Sequence, residues 1–241
     1  MSGKGAGRTS GFGKLWPDAW FDTAAERAAL AWRGVEAQHI VATMRLVDTL
    51  DEQAVLEQLL EASKPALQAA GQPKHYLLNT PFRYRSPSPS RFRRAGAAGV
   101  WYGAETRQTA AAEVADWRWR FLCASGGLRD QALLTEHTFF QAPVKGVTID
   151  PTAKPWRQRR ADWTHDTDYR ATQALAKEAL GRGLQWIRYE SARQADGRCV
   201  AVFDVEALQL PLPPVQQTWH CKATLGSVLM AHGTDRFAWA Y

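Results

Sequence analysis

The stretch Gly99-Val100-Trp101-Tyr102-Gly103-Ala104-Glu105-Thr106-Arg107-Gln108-Thr109-Ala110-Ala111-Ala112-Glu113 changes character at its middle. Val100 to Ala104 reads as a short buried strand, and Thr106 to Ala124 as an Ala-rich helix. Ligand sites form where strands end and helices begin, so Tyr102 on the strand and Glu113 in the helix are candidates. Glu113 sits among Ala110, Ala111, Ala112 and Val114. A carboxylate in such small, apolar company either reaches solvent or is held for a purpose, and a helical Glu taken alone is usually a surface residue.

Working outward, residues Met1 to Lys14 are Gly-rich and basic without an acid, a flexible tail. Its glycines form no phosphate loop, because no strand precedes them and Leu15 follows Gly13-Lys14 where Ser or Thr is required. Asp22 to about Val47 shows apolar residues at three- and four-residue spacings and reads as a helix. A second helix follows Thr49 or Asp51, with Val55, Leu56, Leu59 and Leu60 expected inside. His75 to Arg85 reads as aromatic and extended, and Ser86 to Ser90 as a Pro-bearing loop. Downstream come a strand at Val144 to Ile149, an amphipathic helix at Asp168 to Leu180 and strands at Leu184 to Tyr189 and Cys199 to Val205. Asp196-Gly197 lies in the turn between those last two strands, and β-like segments follow Leu210 to Pro214, near Thr218 to Leu229 and Phe237 to Tyr241. The class is α+β: a helical N-terminal layer, then a mixed sheet with helices packed on it.

The chain of 241 residues carries 30 Lys+Arg and 24 Asp+Glu, a net of +6. Uncharged runs such as Ala95 to Ala104 are half the length of a membrane helix, and the start of the chain has no signal-peptide pattern. Three widely spaced cysteines make no disulfide framework and read as small core residues. These features point to a cytoplasmic protein. Between Arg83 and Arg94 lie five arginines, Arg83, Arg85, Arg91, Arg93 and Arg94, and no acid. Interleaved with Phe82, Tyr84 and Phe92, they suit a phosphate plus a flat ring, since guanidinium forks grip phosphate oxygens and aromatics stack. A solvated basic loop is the plainer explanation for any one of them. Ser191, at the end of a strand with Arg193 two residues on, can hydrogen-bond a ligand hydroxyl or phosphate, or simply cap a turn. The six histidines show no ligand spacing, so no metal site is expected.

These pieces, in this order, resemble the RES family, named for its Arg, Glu and Ser. They are Pro81-Phe82-Arg83-Tyr84, Ser90-Arg91-Phe92, Gly99 to Ala104, Thr109-Ala110-Ala111-Ala112-Glu113, Thr172 to Ala176, and Ile187 to Arg193. Known members of that family are NAD-consuming toxins of bacterial toxin–antitoxin pairs. The resemblance implies a split, mixed β-sheet similar to that of ADP-ribosyltransferase toxins. It divides the chain into a tail (1–14), a helical N-terminal extension (15–74) and an NAD-binding catalytic domain (75–241). It places Arg83, Glu113 and Ser191 in catalytic roles and Tyr84, Arg91, Tyr102 and Arg193 around the nucleotide. Arg85 competes with Arg83 for the first role, and the family's Asn is absent after Phe92, where Arg93 stands.

The activity so implied is cleavage of the nicotinamide–ribose bond of NAD, as substrate and not as a resident cofactor. Phosphorolysis to ADP-ribose-1″-phosphate leads, with hydrolysis or protein ADP-ribosylation on the same site as alternatives. Also implied are a bacterial cytoplasmic setting, a homodimer, and neutralisation by an Xre-type helix-turn-helix antitoxin. A nucleic-acid-binding module is the competing class, from the pI near 9.4 and runs such as Trp117-Arg118-Trp119-Arg120 and Lys154 to Arg160. No nucleic-acid fold signature supports it, so direct contact with nucleic acid is not expected.

Overall fold

The computed structural model describes residues 15–37, 46–63 and 74–241. Its spine is β3 (Leu133–Ile149), whose two edges are used along almost their whole length. One edge takes β1 (Ala25–Glu36) antiparallel, from Ala25 opposite Thr148 to Glu36 opposite His137. The other takes β6 (Gln216–Ala223) antiparallel along the first half of β3. At its end, Thr148 and Ile149 pair in parallel with Trp186 and Ile187 of β4 (Trp186–Glu190). Between β6 and β4 that edge meets only connecting chain, through Gln141 N–H to Val215 O and Gln209 N–H to Pro143 O. The sheet is therefore split on one edge, as well as mixed.

Strand β4 pairs antiparallel with β5 (Arg198–Val202), β5 with β2 (Trp101–Ala104), and β2 returns to β1 at the single pair Trp32 and Ala104. Five strands thus close a ring, and β7 (Ser227–His232) and β8 (Asp235–Ala240) extend β6 as a meander. One face of the ring buries Ala31, Trp101, Phe140, Val144, Trp186, Val200 and Val202. The other buries Trp32, Phe139, Ile149, Ile187, Tyr189, Cys199 and Ala201 beneath the helices. Complete burial of a side chain such as Phe140 stabilises the fold by roughly 1.5–3 kcal/mol.

The described helices are α1 (Leu50–Ser63), α2 (Tyr76–Arg83), α3 (Arg107–Ala124), the short α4 (Arg160–Thr164) and α5 (Arg170–Gly181). Among the described residues no helix is long and apolar enough to cross a membrane. Cys123, Cys199 and Cys221 are all unpaired.

Several expectations are corrected. Residues 25–36 form a strand in the sheet, not a helix; residues 38–45 lie outside the described residues. The alanines of this segment are good helix formers, but local propensity is a weak force, and twelve register positions on β3 outweigh it. Ala31 and Trp32, adjacent in sequence, are buried in the two opposite cores, which only an extended chain permits. Residues 76–83 are helical, not extended: the His75 ring accepts from Leu77 N–H at the helix start, and Leu77 and Leu78 turn into the core. On α1, Val55, Leu59 and Leu60 are exposed, whereas Gln53 is buried. Strand β3 begins eleven residues earlier than the expected Val144, because β1 and β6 both recruit the polar stretch around Glu136 and His137.

Candidate active site

Helix α3 starts where the Thr106 hydroxyl accepts from Thr109 N–H at 3.1 Å. Its second turn is Ala110, Ala111 and Ala112, all buried, and these small side chains let the helix axis lie close to the sheet. Glu113 follows, half-buried, facing the hairpin of β4 and β5. That hairpin pairs Tyr189 with Cys199 and Glu190 with Arg198, so the residue just past β4, Ser191, sits beside the start of β5. Asp196 takes a left-handed conformation at the tip. Gly197 lies so close to α3 that a Cβ there would stand 2.7 Å from Thr109 Cγ2.

The result is a carboxylate ringed by neutral donors. The Ser191 hydroxyl donates to Glu113 Oε1 at 2.6 Å, and Cys199 Sγ lies 3.8 Å from the same oxygen. Glu113 Oε2 has no partner among the described residues. Burial, with Glu113 adding to it, pushes the Cys199 thiol well above its ordinary pKa, so it stays protonated. Tyr189 is raised well above the usual phenol value, first by burial and then by Cys199 and Glu113. Its ring meets Phe92 edge-on at 4.7 Å.

Phe92 belongs to a tight turn, Ser90 to Arg93, closed by reciprocal backbone bonds of 2.8 and 3.1 Å. The turn is clamped from two elements. Tyr102 OH lies 2.8 Å from Ser90 Oγ and accepts from Phe92 N–H at 3.0 Å. Gln173 on α5 donates to the carbonyls of Ser90 and Arg93, and Thr172 to that of Arg91. Burial raises the Tyr102 phenol, which remains neutral.

The structure brings together Glu113, Ser191, Tyr189 and Cys199, with Tyr102 and Arg91 joined to them through the 90–93 turn. Arg91 is buried: its Nη1 donates to Trp163 O and His165 O, both at 2.9 Å, and its guanidinium lies 5.0 Å from the Tyr169 ring centre. Arg193 holds Asp116 at 2.8 Å and Asp166 at 2.7 Å. Arg83 and Tyr84 lie at the end of α2, and no described contact links them to Glu113. Arg83 makes no hydrogen bond or ion pair among the described residues, whereas Arg85 reaches Gly96 O at 3.4 Å. Tyr189, Cys199 and Asp116 are the neighbours of the site that residue types alone missed. The Asp-Gly turn carried the signal for two of them, because it fixes Tyr189 opposite Cys199.

Of the basic runs that suggested nucleic acid, Trp117 to Arg120 is partly turned inward, whereas Lys154, Arg157 and Arg160 of the second are exposed. Arg118 is buried and pairs with Glu36 at 2.6 Å, and Arg120 pairs with Asp116 at 2.8 Å. Trp119 donates to Leu225 O and stacks on Tyr241. Arg160 makes a two-pronged pair with Glu190. Two described cavities, one of about 300 Å³ by Lys145, Gln185 and Glu206 and one of about 570 Å³ by Leu134, Lys222 and Leu229, lie elsewhere on the sheet.

An α+β fold with a split mixed sheet, carrying one carboxylate bonded to a serine across a helix–hairpin junction, defines the class. The RES domain profile matches residues 65–223, and the chain belongs to the RES domain family. Among solved structures, a chain of the M. tuberculosis MbcT–MbcA toxin–antitoxin complex is similar at 14% identity, with a TM-score of 0.45, over 87% of this chain and 94% of that one. No curated protein sequence matches the chain.

Proposed function

We propose that the protein cleaves NAD between nicotinamide and ribose, with inorganic phosphate as acceptor. The observation that carries this reading is Glu113, one of whose oxygens is held by Ser191 while the other has no partner among the described residues. In NAD the leaving group is already a cationic pyridinium, so its departure as neutral nicotinamide requires no general acid. A single carboxylate beside the ribose is sufficient, in contrast to the paired carboxylates of ordinary glycosidases. Asp116 supplies no second one, because Arg120 and Arg193 both hold it.

In this reading the C1″–N bond breaks with its electron pair leaving on nicotinamide, and positive charge grows on the ribose. Glu113 Oε2 stabilises that charge and holds the ribose hydroxyls, an electrostatic contribution prepared before substrate arrives. A phosphate oxygen then supplies the pair for the new C1″–O bond. Arg83 grips the diphosphate and Tyr84 packs on a ring. Tyr102 and Arg91 act by fixing the 90–93 turn, and Arg193 by fixing the loop after Ser191. The same proposal includes a bacterial cytoplasmic setting, a homodimer, and an Xre-type helix-turn-helix antitoxin that blocks the cleft, as the family resemblance implies.

The test is incubation of purified protein with NAD, with and without phosphate, and identification of the ribose product. Phosphate-dependent ADP-ribose-1″-phosphate is the expected outcome, and free ADP-ribose in both arms would replace phosphorolysis by hydrolysis. Glu113→Gln should lower nicotinamide release at least about 10²–10³-fold with an unchanged melting temperature. A full rate in that variant removes Glu113 from the chemistry. No release at all, together with salt-steep binding to DNA, would move the protein to the nucleic-acid class.

A further inference from the structure

The hydroxyl of Ser191 has no spare bonding capacity. A hydroxyl offers one hydrogen and two lone pairs. The backbone N–H groups of Arg193 and Gln194 donate to Ser191 Oγ at 3.0 and 3.1 Å, and its hydrogen goes to Glu113 Oε1 at 2.6 Å. The direction of the Ser191–Glu113 bond is therefore set by where the backbone of residues 193 and 194 lies.

The Arg193 side chain, only 10% exposed, fixes that backbone. Its Nε meets Asp116 Oδ2 at 2.8 Å, its Nη1 meets Asp166 Oδ1 at 2.7 Å, and its Nη2 donates to Asp166 O at 2.8 Å. Asp166 is a largely exposed loop residue, and water screens its pull. Asp116 is buried, and it lies on α3 three residues after Glu113, on the same side of the helix. Arg120 Nε, one turn further on, holds the same Oδ2 at 2.8 Å and keeps the carboxylate in place. Helix α3 thus grips the loop after β4 at two points: Glu113 through Ser191, and Asp116 through Arg193.

We propose that Asp116 is a positioning residue for Glu113, acting through Arg193 and the Ser191 hydroxyl. With Oε1 fixed by that chain, Oε2 is presented to the substrate in one orientation. The effect on turnover rests on the NAD-cleaving reading above, whereas the linkage from Asp116 to Ser191 does not.

The test is a double-mutant cycle of Asp116→Asn and Ser191→Ala, read in steady-state kinetics with NAD and in thermal melting. In the wild-type background Asp116→Asn should lower kcat about 10–100-fold, with KM held within about three-fold. In the Ser191→Ala background the same substitution should change kcat less than about two-fold, because the group it acts through is gone. Asp116→Glu should recover part of the lost kcat. The melting cycle should be non-additive in the same sense, and it requires no turnover. Equal losses of kcat in both backgrounds, with additive melting shifts, would show that Asp116 only braces the fold and would overturn the proposal. Absence of nicotinamide release from the wild type, with melting still non-additive, would overturn the NAD reading and leave the linkage standing.

Discussion

Five arginines stand between Arg83 and Arg94, and the structure gives them different work. Arg91 is buried against two carbonyls, Arg93 donates to Ser88 O at 2.9 Å, and Arg85 makes one long contact with Gly96 O. Arg83 stands at the C-terminal end of α2 with its guanidinium unpaired among the described residues. A charge-assisted hydrogen bond contributes about 1.5–3 kcal/mol, so Arg83→Ala should weaken NAD binding by about 10–100-fold on the standard conversion. Arg85→Ala should change it less than about three-fold by the same conversion. Calorimetric titration with NAD checks both, and equal effects of the two substitutions would remove the assignment to Arg83. The sequence displayed the charge of this stretch clearly, together with Glu113 and Ser191. It could not display which guanidiniums are consumed by carbonyls, because Trp163 and His165 lie more than seventy residues from Arg91. The Glu113–Ser191 bond spans 78 residues in the same way, and its parts were legible only through the ordered motifs of the family.

At the scale of elements, the junction of α3 with the β4–β5 hairpin makes the site. Gly197 is the point of closest approach: an added Cβ would stand 2.7 Å from Thr109 Cγ2, 2.9 Å from Thr109 Oγ1 and 3.0 Å from Gln194 O. Thr109 is itself buried, and its side chain is tied by its hydroxyl, 2.8 Å from that of Thr106. Gly197→Ala should push the hairpin off the helix, at a cost of about 1–3 kcal/mol of stability as for other overpacked contacts. It should also lengthen the Ser191–Glu113 bond and lower turnover. Chemical denaturation and nicotinamide release measure the two effects, and an unchanged denaturation midpoint would show that the loop relaxes elsewhere. The strand and helix around residues 100–124 and the hairpin around 184–205 were readable, because the short strands there are largely apolar runs buried on both faces. Strand β1 was not, because its order comes from pairing with β3 more than a hundred residues away and not from local preference. Helix α2 was hidden by Tyr76 and Phe82, aromatic types enriched in strands, and by Pro81, which disfavours a helix interior.

For the whole molecule, net charge proved a weaker guide than the placement of individual charges. Beyond the active site, α3, β1 and β3 meet around a buried histidine, His137, 2% exposed. Its Nε2 lies 3.1 Å from Thr135 Oγ1, and its Nδ1 has no partner among the described residues. The charged groups that face it are Arg118 of α3 and Glu36 of β1, themselves an ion pair at 2.6 Å. Burial first, and Arg118 second, lower its pKa from 6.5 to about 4, with Glu36 opposing. Between those two values the unfolded chain binds a proton that the folded chain refuses, so the unfolded state gains as the solution is acidified. The stability associated with neutral His137 is fully present above pH 6.5 and declines as pH falls toward 4. Between pH 7 and pH 5 this group alone should remove about 2 kcal/mol. His137→Gln keeps a polar side chain within reach of Thr135 but cannot take up the proton. Urea unfolding of the two proteins at pH 7 and pH 5 should show a loss in the wild type that exceeds the variant's by about 2 kcal/mol. Parallel losses would mean that His137 is protonated in the folded protein, and that Glu36 outweighs both burial and Arg118 at the centre of the sheet.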